Sequence, residues 1–149
     1  MVEHALRLKE LDDTRDDLWN VLDSADSNLE ISPGIKKREI FAHIAGWEAI
    51  VFAAFREHVY GGPANTYVYP GLDAANAGFV AERQSSTLEG VKLEAEINRF
   101  AIKAMLSTIP TEKWDIPVRF PWGQETITQW MQGAINHERE HADEIKRII

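Results

Sequence analysis

The sequence predicts an all-α fold, an antiparallel four-helix bundle with a long crossover between its second and third helices. Two observations predict it. Four stretches repeat apolar residues at three- and four-residue steps, the period of a helix with one buried stripe. The connection between the second and third of these has no long apolar period of its own. One further stretch alternates apolar and polar residues, but it is too short for a sheet that could organise a domain. At 149 residues and 44% hydrophobic content the chain suits a single domain with a continuous core.

The first helix is expected from about Glu3 to Ala25, with Leu8, Leu11, Leu18, Val21, Leu22 and Ala25 as its stripe and Asp12, Asp13, Arg15 and Asp16 on a solvated face. Ser32-Pro33-Gly34 closes the loop that follows. The second helix runs from about Lys36 to Tyr60, with Ile40, Ile44, Trp47, Val51 and Phe55 on one face, and ends at Gly61-Gly62-Pro63. In the crossover, Asp73 to Gln84 is expected to form a short helix. The third long helix opens with Ser86 and Glu89 at capping-box spacing. It repeats Leu88, Val91, Ala95, Asn98, Ile102, Met105 and Ile109 and stops at Pro110. Two prolines and a glycine make the stretch from Thr111 to Glu125 an extended loop or small hairpin. The last helix starts at Thr126, with Gln129 as its capping-box partner.

Composition excludes several function classes. There are 24 acidic and 16 basic residues, a formal net charge of -8, which is the wrong sign for neutralising a phosphate backbone. Nucleic acid is therefore not an expected partner. No apolar run reaches the roughly 18 to 20 residues of a membrane span, and the first residues lack the apolar segment of a secretory signal, so a cytoplasmic protein without membrane contact is expected. With no cysteine, there is no disulfide, no thiolate ligand and no cysteine nucleophile. A metal site in this chain must use nitrogen and oxygen donors.

The histidines supply such donors. At about 100° of rotation per residue, His137 and His141 fall within about 20° of Trp130, beside Ala134, Ile145 and Ile148, so the sequence places them on the core-facing stripe of the last helix. Spaced i and i+4, their imidazoles project from adjacent turns, the spacing that lets one helix give two nitrogens to one ion. Buried without partners, each would cost about 1 to 3 kcal/mol. His43 lies about 60° from Ile40 and about 40° from Trp47, at the edge of the second helix's apolar face, and is the natural third ligand. His58 stands about four turns away near a helix end, and His4 is in the first turn or a frayed end, so neither joins the set. Glu48, about 140° around the helix from His43, belongs to a surface or an interface.

Segments spread over nearly the whole chain carry a family resemblance: REIFAHIAGWE from Arg38 to Glu48, NAGFVAER from Asn76 to Arg83, PWG from Pro121 to Gly123, and INHEREHADEI from Ile135 to Ile145. Together they resemble the DinB-like superfamily, and within it the branch of colibactin-resistance-like bundle proteins. The resemblance implies a four-helix bundle with a long second connection, frequently dimeric, binding a divalent metal on three histidines that fall here on His43, His137 and His141. Its members include thiol-dependent transferases, isomerases and a few hydrolases.

Residues 137 to 141 also match H-E-x-x-H, the zinc-peptidase signature in which the glutamate is general base. Little chain follows to supply a further ligand, and no sheet edge is expected to align a peptide. Glu138 lies about 100° from His137, so an ion-paired or solvated role is expected for it ahead of one as a base or as a support for a ligand. A three-histidine site with an open position suits zinc or nickel, which would lower the pKa of a bound water or thiol toward neutrality. The expected function is a small-molecule metalloenzyme of hydrolase or thiol-transferase type with a detoxification or stress-response role. Its partner would be a small ligand or a low-molecular-weight thiol. The alternative is a non-catalytic protein in which the ion is structural or a small molecule is sequestered. Trp47, Tyr67, Tyr69, Trp122 and Trp130 are the expected pocket lining, with Trp114 and Phe120 in the loop beside them. An exposed apolar seam on the first or third helix would support a homodimer.

Overall fold

The apolar repeats become five α-helices in the computed structural model, which describes residues 2–62 and 70–149. They are α1 (Val2–Ser24), α2 (Lys37–Tyr60), α3 (Leu72–Glu82), α4 (Leu88–Thr108) and α5 (Ile127–Lys146). A single 3-10 turn covers Thr111–Lys113, and a two-stranded sheet pairs β1 (Val118–Phe120) with β2 (Gly123–Glu125). Among the described residues no helix is long and apolar enough to cross a membrane.

The chain divides into two compact units. The first comprises Met1–Lys37, Thr111–Pro117 and Glu125–Ile149. Its frame is α1 packed along α5, and the paired positions fix their direction: Arg7 donates to Gln132 Oε1 at 2.6 Å, Thr14 donates to Glu138 Oε2 at 3.0 Å, and Lys146 pairs with Asp17 at 2.9 Å. Partner numbers rise together, so the two helices run parallel. Between them lies a buried ion pair, with Arg15 Nε and Nη2 donating to Glu138 Oε1 at 3.0 and 2.7 Å. The Arg15 guanidinium also stands 4.4 Å from the centre of the Trp19 ring, which lies one turn on. Arg15 was expected on the solvated face, but it is buried at 7% exposure because a carboxylate waits on the neighbouring helix. Buried Leu11, Leu18, Leu22, Ile127, Met131, Ile135 and Ile145 form the apolar part of this unit. The buried ammonium of Lys37 donates to Ala25 O at 2.8 Å, setting a cation against the carbonyl end of α1. Between them, Pro33 and Gly34 turn the chain, with Ile35 N donating to Ser32 O at 2.8 Å and Gly34 at φ 76°, the left-handed conformation that a glycine adopts without strain.

The second unit comprises Arg38–Pro110 and Val118–Gln124. Here α2 and α4 also run parallel, since Asn98 donates to Ala45 O at 2.9 Å and Arg99 meets Glu48. The second ion pair is a fork on a fork: Arg99 Nη2 reaches Glu48 Oε1 at 2.8 Å and Nε reaches Oε2 at 3.3 Å. Of the two places expected for it, a surface or an interface, Glu48 is therefore not at the surface but buried between α2 and α4. The short helix α3 runs antiparallel to α2, with Asn76 and Phe79 against Trp47 and the turn after α3 against Arg38. Arg38 donates to the carbonyls of Arg83, Gln84 and Ser86, collecting the backbone oxygens left at the end of α3. At Gly46 an added Cβ would lie 2.2 Å from Cγ of Phe79, so glycine is what lets α3 approach α2.

Local signals placed the helix ends closely, with one shift. The α5 capping box forms as expected, Gln129 N donating to Thr126 Oγ1 and the Gln129 side chain accepting from the Thr126 amide. The cap of α4 is Thr87 and not Ser86, because Thr87 Oγ1 accepts from Gly90 N at 3.0 Å. The stretch after α4 forms the small hairpin.

Two glycine substitutions separate close packing from helix propensity. Gly46→Ala is expected to destabilise the fold by about 1 to 3 kcal/mol through overlap with Phe79. Gly133→Ala, mid-helix with open space beside it, is expected to stabilise by about 0.5 to 1 kcal/mol. Thermal melts of both variants should move in opposite directions.

Candidate metal centre

His137 and His141 stand on adjacent turns of α5, and their Nε2 atoms are 3.0 Å apart with rings inclined at 63°. Two imidazole nitrogens that bind one ion at about 2.0 to 2.1 Å stand roughly 3.0 to 3.4 Å apart, so this separation suits a shared cation. The expected burial does not hold. His137 is exposed and His141 half-buried, whereas the buried stripe of α5 is Ile127, Trp130, Met131, Ile135, Glu138, Ala142 and Ile145. That stripe is centred roughly 90° from Trp130, which leaves the histidine pair at its edge. Ala134 is half-buried and Ile148 is exposed. Trp130 lies at one edge of the stripe, so a face centred on it points toward the histidines and away from Met131, Ile135 and Ala142. Desolvation therefore gives no reason for the pair to be liganded. The convergence of nitrogens does.

His43 is half-buried on α2, one turn before Trp47, and the two rings meet edge to face at 6.4 Å. One ring nitrogen from each of His43, His137 and His141 lies within 4.8 Å of the other two, a group that can hold a metal ion. Three neutral imidazoles fit zinc, nickel and similar borderline cations by donor chemistry. It is the only such group among the described residues. His58 lies half-buried in the last turn of α2. His4, in the first turn of α1, is not frayed: its ring stacks on Trp114 at 4.2 Å.

The pocket residues expected from sequence separate into groups. In the second unit, Trp47 sits edge-on to Trp122 at 5.6 Å and to Phe79 at 5.1 Å, while Trp122 lies parallel on Phe120 at 4.8 Å. The indole N–H of Trp47 is engaged by Asn76 Oδ1 at 2.7 Å, which fixes the ring beside His43. Trp122 remains 45% exposed at the hairpin tip. In the first unit, Trp130 is buried on α5, and Trp114 is buried against His4, where it is core packing and not lining. Tyr67 and Tyr69 lie outside the described residues.

Glu138 is held by its partners. With Oε1 bonded twice by Arg15 and Oε2 by Thr14, its carboxylate is buried and occupied, so of the two roles expected for it, ion-paired or solvated, it takes the first. A carboxylate so engaged is poorly placed to take a proton from a substrate, and the H-E-x-x-H match lacks its base. Neither buried ion pair was legible as such, since each charge looks like an ordinary solvated residue in its own helix; Thr14 and Glu138 show their role only when α1 and α5 are aligned.

Comparison of the chain with protein-family models, with curated proteins and with solved structures found no match.

Because Arg15 would be left without its carboxylate, Glu138→Gln is expected to destabilise the fold by about 3 to 5 kcal/mol. Metal affinity of the folded fraction should be unchanged. Denaturant unfolding beside a metal titration checks both, and a loss of affinity without loss of stability would give Glu138 a direct part in the site.

Proposed function

We propose that this protein is a divalent-metal-binding, DinB-like four-helix bundle, with the parallel pairs α1–α5 and α2–α4 as its bundle helices and α3 in the crossover. The reading makes it a small-molecule metalloenzyme of hydrolase or thiol-transferase type with a role in detoxification or stress response. The observation that carries it is the convergence of His43, His137 and His141. Three neutral nitrogen donors leave a coordination position open, where a structural site is usually closed by four protein ligands. An ion there, zinc or nickel by donor type, would polarise a small ligand and make a water or thiol nucleophilic near neutral pH. The chain has no cysteine, so a thiol nucleophile must come from solution as a low-molecular-weight cosubstrate.

The remaining roles fall to the chain's own residues. Asn76 orients Trp47, and Trp47 braces the His43 ring from its edge. The Trp47, Phe120 and Trp122 rings offer an apolar wall with the Trp47 N–H turned to Asn76, which favours a ligand with an apolar part. A peptidase reading gains no support from Glu138.

Elemental analysis of protein purified without an affinity tag is the first test. About one equivalent of zinc or nickel is expected in the wild type and in His4→Ala, and its loss in His137→Ala and His141→Ala. Equal metal content in all four would remove the site, and absence from all four would leave a metal-free binding protein.

A further inference from the structure

Within the second unit the hairpin lies along α2, and its contacts give its direction. Arg119 pairs with Glu57 in the last turn of α2, Phe120 meets Phe55 at 5.8 Å and 66°, and Trp122 meets Trp47 at 5.6 Å. β1 therefore runs toward the start of α2 and brings its turn to the stretch of helix that bears His43. The rings of His43, Trp47, Trp122 and Phe120 form one continuous series, with neighbouring centres 6.4, 5.6 and 4.8 Å apart. Of the four, Trp122 is the exposed one. Phe120 is buried and lies flat on one face of Trp122 at an interplanar angle of 6°, yet 45% of Trp122 stays open to solvent. The contacts of its neighbours hold this indole in place before a ligand arrives, so that ordering it on binding costs little.

We propose that Trp122 selects the ligand of the histidine-bound ion, and that it selects a planar conjugated group joined to an anionic donor. Trp122 can have this part only if His43, His137 and His141 hold an ion, as proposed above. Three imidazoles are neutral donors and leave the charge of a bound cation uncompensated, while Glu48 on the same helix as His43 is already engaged by Arg99. An anionic donor is therefore favoured at the open position. A cationic ligand, which the rings alone would attract, is repelled there. Only the Trp47 ring lies between Trp122 and His43 in the series, so a donor at the ion and a flat ring against Trp122 are within reach of one small molecule. Asn76 takes the N–H of Trp47, which leaves that ring to recognise by shape. A flat ring gains from an aromatic partner beyond the area it buries, whereas a puckered aliphatic ring of similar size gains from area alone. Planarity is thus the selected property, ahead of bulk apolarity.

Calorimetric titration of zinc-loaded protein, its metal content measured first, tests this with benzohydroxamate and cyclohexanecarbohydroxamate, which share a zinc-binding group and differ in the planarity of the ring. The wild type is expected to bind the flat probe about 3- to 10-fold more tightly. Trp122→Ala and Trp122→Leu should each bring the two probes within about 2-fold of one another, and Trp122→Phe should keep most of the preference, with zinc content and circular dichroism unchanged in all three. Benzamidine, a flat cation, is expected not to bind. Equal binding of the two hydroxamates by the wild type, or a preference that survives in Trp122→Ala or Trp122→Leu, overturns the selection by Trp122. Benzamidine binding as tight as that of benzohydroxamate overturns the anionic donor. A wild type that takes up no zinc overturns the metal centre itself, and the role of Trp122 falls with it.

Discussion

Each unit of this protein is organised by a buried arginine-carboxylate pair between two parallel helices: Arg15 with Glu138 across α1 and α5, and Arg99 with Glu48 across α2 and α4. Taking both charges out of water costs several kcal/mol per ion, and an apolar pair of equal volume would often do as well for net stability. What the pairs add is register. A guanidinium that gives two donors to a carboxylate tolerates little axial sliding, and Thr14 holds the remaining oxygen of Glu138. The apolar stripes on either side can interdigitate in only one alignment once those bonds are made.

That register reaches the candidate metal centre through single-residue offsets. Glu138 faces α1, which turns its neighbour His137 about 100° away from the unit's core and leaves His141 one turn further along the same edge. On α2, Glu48 is drawn toward Arg99, and Trp47, one residue earlier, is left to meet Asn76 and the hairpin rings beside His43. Ligand and support residues are thus the sequence neighbours of the ion-paired ones.

Much of this was readable in the chain, and the failures have a common physical cause. Helix limits followed from local chemistry: Pro33-Gly34, Gly61-Gly62, Pro110 and the Thr126 capping box act within a few residues of themselves. The three histidines could be chosen by spacing and by position on their helices. Their burial could not, because the covered side of α5 is set by α1, whose bonds reach Glu138, and Arg15, Glu48, Arg99 and Glu138 are likewise buried by partners more than 50 residues distant in sequence. Gly46 gave no signal either, since the need for glycine comes from Phe79 on another helix. The crossover tyrosines, Tyr67 and Tyr69, fall outside the described residues.

Parallel pairing also dictates an order of assembly. The bonds that join α1 to α5 span 123 to 129 residues of chain, while those that join α2 to α4 span about 50. Closing the longer loop carries the greater entropic cost, and on a ribosome α5 emerges only after every residue of the second unit has been made. The second unit therefore has its partners early, whereas Arg7, Thr14 and Arg15 of α1 meet Gln132 and Glu138 only when the last helix arrives. During synthesis Arg15 therefore stays without its carboxylate long after Arg99 has met Glu48.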